Sequence, residues 1–115
     1  MTTTVVAKNL VAPKYAEDSD TTQYTATGVT AIVDKCTVTN VTVADAVITI
    51  NIVPDAGAVD ASNAILFEKT VPAGKTYTCP EIVGHSLDDT DYISTLADTA
   101  SALVIDISGR EQTVI

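Results

Sequence analysis

Between Ala46 and Val53 the chain alternates. Ile48, Ile50 and Ile52 fall on one side, and Val47, Thr49 and Asn51 on the other. A period of two is that of a strand with one face turned to a core. The segment Thr30 to Val41 has the same period, with Ile32, Cys36 and Val38 on one face and Asp34 between them. Val33, Lys35, Thr37 and Thr39 then lie opposite and should be wet. Near the C-terminus Leu103, Ile105 and Ile107 alternate with Val104, Asp106 and Ser108. That pattern predicts a strand ending at Gly109, with Gln112 to Ile115 as a short tail strand.

Shorter strands are predicted over Tyr24–Thr27, Ala64–Val71 (Ile65 and Phe67 sharing a face), Tyr77–Cys79 and Tyr92–Ala97. The breaks between them carry turn chemistry. Pro72-Ala-Gly-Lys75 combines a preset φ with a glycine, and Pro54 to Asn63 mixes Pro, Gly, Asp and Asn without periodicity. Thr42 to Asp45 is short enough to make the strands on either side of it a hairpin. Thr4 to Pro13 is apolar with a proline at its end, which suits an edge strand or an extended arm, because proline withdraws a ladder donor. Helical i, i+3, i+4, i+7 spacing is not sustained anywhere. The expectation is an all-β chain of seven to nine short strands. They form a single antiparallel β-sandwich over residues 1–115, of immunoglobulin-like or jelly-roll topology, with 1–13 as an N-terminal arm or edge strand.

Composition agrees. Of 115 residues 46% are apolar, yet there is no Trp and only one Phe and one Met. Val, Ile and Thr carry the chain instead, and β-branched residues pack well on a pleated surface. Net charge is −9 with six basic residues, all standing singly. Nucleic-acid binders set clustered Lys and Arg against phosphates, so that class is excluded, and an anionic membrane would be repelled. No apolar run reaches the length of a membrane span, and the opening Met-Thr-Thr-Thr-Val-Val-Ala-Lys8 lacks the features of a signal peptide. The expectation is a chain made in a cytoplasm. Cys36 and Cys79 would there be reduced, buried thiols, with a disulfide as the alternative.

Catalytic chemistry finds little to build on. His85 is the single histidine, next to Ser86 and near Asp88, Asp89 and Asp91. Neighbours in an extended segment point to opposite faces, which works against a His85–Ser86 couple. The carboxylates at Asp88–Asp91, and at Glu17, Asp18 and Asp20, lack the Asp-x-Asp-x-Asp-Gly frame of a calcium loop and suit solvated turns. No phosphate-cradling glycine motif occurs. Tyr15, Tyr24, Tyr77 and Tyr92 could stack on a sugar but fit core edges or interfaces better. The expectation is a protein that is not an enzyme, with no catalytic, metal or cofactor site.

What remains is surface. Only 18% of the chain is charged, and the strand faces expected to be wet (Val33, Thr37, Thr39, Val47, Thr49, Asn51, Val104) are small and uncharged. A free monomer usually blunts its sheets with Lys and Glu, so these faces suit packing against other proteins. Several phrases carry a resemblance: Thr22-Gln-Tyr-Thr-Ala26, Thr30-Ala-Ile-Val-Asp-Lys-Cys-Thr-Val-Thr-Asn40, Val71-Pro-Ala-Gly-Lys-Thr-Tyr77, Gly84-His85, and Ala100 to Glu111. With them, from about Lys8 to Glu111, the chain resembles small structural proteins encoded in the morphogenesis modules of tailed bacteriophages. The resemblance implies a virion component assembled in the bacterial host cytoplasm. First in line is a capsid decoration or cement protein, a homo-oligomer with a trimer favoured, held on the major capsid protein by strand faces and the N-terminal arm. The alternatives are a neck or tail adaptor and, from a different class, a carbohydrate-binding module. Such virion proteins bring no active-site residues to transfer.

Overall fold

The computed structural model describes residues 2–114. Nine strands account for most of them: β1 (Thr3–Tyr15), β2 (Thr21–Thr25), β3 (Thr30–Asn40), β4 (Ala46–Val53), β5 (Ala64–Val71), β6 (Thr76–Tyr77), β7 (Ser86–Leu87), β8 (Tyr92–Ala97) and β9 (Leu103–Val114). All pairings are antiparallel; β9 with β3 and β8 with β4 close the sheets, and the rest are nested, β1 on β9, β2 on β8, β3 on β6 and β7, and β4 on β5. This is the pairing of one long hairpin. Rolled up, it becomes two facing sheets, β1-β9-β3-β6 with β7 also on β3, and β2-β8-β4-β5. That strand order is a jelly roll and not the immunoglobulin arrangement, so the first sheet takes both chain ends while the second takes the β4–β5 turn.

The core lies between the sheets. Val38, Leu103, Ile105 and Ile107 from the first sheet meet Ile48, Ile50, Ile52 and Ile93 from the second. Ile82 and Leu87 close one side. Fully burying such a side chain is worth about 1.5–3 kcal/mol relative to leaving it wet. This is where the alternation over Ala46–Val53 and Leu103–Ser108 is borne out.

Several expectations are corrected. β3 and β4 do not form a hairpin; they sit in different sheets. The corner between them is built by Asn40, whose buried side chain donates to the carbonyls of Ala44 (2.8 Å) and Val71 (2.9 Å) and accepts from the Thr42 amide and hydroxyl. In β3, Ala31 and Val33 face the core and Ile32 faces outward, the reverse of the prediction. A bulge at Asp34 explains it. The register slips between Val33 and Lys35, and only afterwards do Cys36 and Val38 return to the inside. An extra residue in one strand flips every side chain that follows. In β5 the inward residue is Leu66, and Phe67 is exposed, again beside register shifts. The last strand does not end at Gly109 but runs on to Val114.

The arm is an edge strand. β1 pairs with β9 along its length, from Thr3 opposite Val114 to Tyr15 opposite Val104. The Pro54–Asn63 segment forms two short 3₁₀ turns, Pro54–Ala56 and Ala61–Asn63. Asn51 donates to the Asp60 carbonyl and to Asn63 Oδ1, pinning that segment over the second sheet. Asn51 and Thr49 are therefore buried, not wet. Among the described residues no helix is long and apolar enough to cross a membrane.

Candidate interaction surface

The residues weighed for chemistry hold the fold instead. His85 is half-buried, and its Nδ1 donates to the Ser86 carbonyl at 2.9 Å. Its backbone is tied to β3, the Val33 amide donating to the His85 carbonyl while the Gly84 amide donates to that of Val33. The acidic turn is equally engaged. Asp91 accepts from the amides of Asp88 (2.9 Å) and Asp55 (3.0 Å), and Asp89 from that of Gly28 (2.8 Å). These carboxylates close turns and join loops rather than converge on one point. Among the described residues, no group of three or more His, Cys, Asp or Glu is arranged to hold a metal ion.

Cys36 and Cys79 are both buried and unbridged. Their thiols lie against each other. That contact, followed by burial, drives the Cys36 pKa far up. The tyrosines are dispersed over β2, β6, β8 and β1. Tyr24 is buried and donates to Glu111, and burial followed by that bond raises its pKa. Tyr77 donates to Glu81, which lifts Tyr77 to about 12 and lowers Glu81, and Lys69 lies 4.8 Å from its ring centre. Tyr92 donates to the Gly57 carbonyl. Tyr15 is half exposed.

Tyr15 belongs to a row. Register places Tyr15 opposite Val104, Val104 opposite Thr39, and Thr39 opposite Thr76, so four residues from β1, β9, β3 and β6 line up across the outer face of the first sheet. The Thr39 and Thr76 hydroxyls are 3.1 Å apart. Thr37 opposite Asp106 continues this face, followed toward the bulge by Ser108 with its neighbour Asn9. The result is a surface of mostly small residues, whose charges are Asp106 and, opposite Ser108, Lys35.

Charge is sharply divided. The five strands of the first sheet hold Lys8, Lys14, Lys35 and Arg110 against Asp34, Asp106 and Glu111, a net of +1. The second sheet's strands hold only Glu68 and Lys69, net 0, so the segments between strands, with Lys75 against eleven carboxylates, carry the remaining −10. Within the first sheet the ions pair: Arg110 forks onto Asp34 at 2.9 Å, and Lys8 reaches Glu111 at 3.3 Å. The second sheet's outer face carries a trough instead. One part, of about 430 Å³, is lined by Asp18, Val47, Thr49, Glu68, Leu96 and Asp98. It shares Thr49, Glu68 and Leu96 with a second part of about 260 Å³ that runs on to Asp60 and Phe67.

The neutral row and the charge division are the functional features that sequence reasoning missed in part. Thr37, Thr39 and Val104 were on the expected surface, while Tyr15 and Thr76 join it only through pairing. No known protein family matches the chain, and no curated protein is similar to it.

Proposed function

We propose that this chain is a non-enzymatic structural protein of a phage particle, a capsid decoration or cement protein that attaches to the shell through the outer face of the β1-β9-β3-β6 sheet. The observation that carries this reading is the charge division. A chain of net −9 gathers most of its acid in the segments between strands and leaves the strands of the first sheet at +1. That sheet's ions include the pairs Arg110–Asp34 and Lys8–Glu111, whereas the opposite face is ringed by the carboxylates of Asp18, Asp60 and Asp98, which burial there would strand. The acidic remainder then faces solvent and keeps particles apart. The jelly roll adds weight by analogy alone, since viral capsid proteins use it and so do lectins.

The test is binding to capsids of the cognate phage stripped of small accessory proteins. Wild type is expected to co-sediment at saturating stoichiometry and to raise the temperature at which the shells open. Val104→Lys, in the middle of the row, should abolish co-sedimentation, and Phe67→Ala on the other sheet should leave it intact. Absence of wild-type binding, or equal binding by Val104→Lys, overturns the reading.

One observation favours a second reading, the carbohydrate-binding module. The trough on the second sheet sets the exposed Phe67 beside Asp60 and Glu68, an aromatic and carboxylates of the kind that grip a sugar. A glycan array answered by wild type and not by Phe67→Ala would establish it; a blank array removes it.

A further inference from the structure

A sheet edge offers unpaired N–H and C=O groups, and proteins blunt such edges with charges, prolines, bulges or brevity. Among the described residues every sheet edge but one stretch is blunted. β6 and β7 have two residues each. β2 has five and is interrupted by a register shift between Thr22 and Tyr24. β5 is broken by register shifts and carries Glu68 and Lys69 at its middle. The second half of β1 has shifts around Val11 and is closed by Pro13 and Lys14. The first half has none of these devices. Thr3 to Lys8 pairs with β9 without a shift, contains no charge before Lys8, and exposes Val5 (53%) and Val6 (54%) on its two faces.

We infer that this stretch is the pairing edge for a second copy of the chain, joined antiparallel about a twofold axis at Val5. Directly opposed residues on paired strands must point to the same face, so an axis normal to the sheet has to pass through a residue position. Centred on Val5, it sets Val5 against Val5 of the second copy, Thr4 against Val6, and Thr3 against Ala7, so the whole uncharged run is matched to itself. β-branched residues opposed in this way stabilise a strand pair. The two first sheets become one continuous sheet of ten strands, running β6-β3-β9-β1 and on through β1-β9-β3-β6 of the second copy, with β7 beside β3 in each half. Charge selects this approach. Two copies meeting through their loops bring together segments that each carry a net −10, whereas here they meet through strands whose net is +1. The pairing is isologous and closes with two copies, a dimer in place of the trimer first expected. It does not depend on the virion reading, and it leaves the row at Tyr15, Val104, Thr39 and Thr76 open on each half.

The test uses the full chain in solution. Sedimentation equilibrium over a dilution series should give twice the 12.0 kDa chain mass at the concentrated end. Val5→Lys, at an exposed site the fold does not need, sets two lysines face to face and should hold the protein at the single-chain mass. Val5→Glu should do the same, and mixing the two variants should restore the doubled mass. Phe67→Lys, on the other sheet, should dimerise like wild type. A wild type that stays monomeric, a Val5→Lys variant that still dimerises, or a mixture that stays monomeric overturns the inference. Capsid co-sedimentation is a separate measurement, so either conclusion can fail while the other stands.

Discussion

Gly109 lies against the Ile32 carbonyl so closely that a Cβ at that position would stand 2.0 Å from the carbonyl oxygen. The contact sits where β9 opposes the bulge at Asp34 on one side and the register shift after Asn9 on the other. β3 changes register between Gly109 and Ser108 and β1 between Ser108 and Ile107, and the missing side chain lets β3 press in there. Gly109 therefore carries the last strand through a bend at the point where sequence pattern alone would end it.

Gly109→Ala should destabilise the fold by about 1–3 kcal/mol or more, because the colliding atom is backbone and cannot swing away. Denaturant unfolding measures it. A loss under about 0.5 kcal/mol, the scatter of ordinary surface changes, would show that β3 and β9 are not tightly joined at the bulge.

Asn40→Ala removes the side chain that satisfies two carbonyls at the inter-sheet corner. The buried Val71 carbonyl loses this donor while the exposed Ala44 carbonyl keeps the Thr42 hydroxyl, so a loss of about 1–3 kcal/mol is expected. Thermal unfolding would report it, and an unchanged midpoint would mean that water takes over the corner.

Alkaline stability should hinge on Tyr24. Its folded pKa is raised by burial and by the bond to Glu111, above the ordinary 10.0. The proton is held more tightly in the fold, so the contribution is complete below pH 10.0 and declines as pH climbs through the folded value. In a spectroscopic titration the ionisation of Tyr24 should come above the ordinary tyrosine range and together with unfolding. Tyr24→Phe should lose stability at neutral pH and show a flatter alkaline decline. A decline as steep as wild type's would assign it to another group.

Acid stability should respond to Glu17. Lys14 and Gln23 bond its carboxylate and lower its pKa below the ordinary 4.5. That contribution is present above pH 4.5 and disappears as pH falls through the lowered value. Glu17→Gln should narrow the stability difference between neutral and acid solution, read by melting at each pH; an identical difference would remove Glu17 from the account. The effect is small, since the pair is widely exposed.

The buried Cys36 and Cys79 should be slow toward a water-soluble thiol reagent in the native protein and fast once it unfolds. Burial shields both thiols, and the raised pKa of Cys36 further withholds its thiolate. Rapid native labelling of either would mean that the Tyr77–His85 segment opens readily.

The period of two at Ala46–Val53 and Leu103–Ser108, the β-branched composition and the turn residues were enough to determine an all-β sandwich, because alternation is a local property written into neighbouring residues. They also placed Ile48, Ile50, Ile105 and Ile107 inside. Which strand pairs with which is not local. The hairpin expected across Thr42–Asp45 failed because a four-residue link can turn a chain back within a sheet or carry it to the other sheet, and it was the buried Asn40 that decided. The inversion of Ile32 and Val33 came from one extra residue opposite Gly109, visible only once β9 lay alongside. For the same reason the row of Tyr15, Val104, Thr39 and Thr76, and the separation of +1 from −10, belong to the tertiary structure: charges scattered along the chain become a surface only when pairing fixes their neighbours.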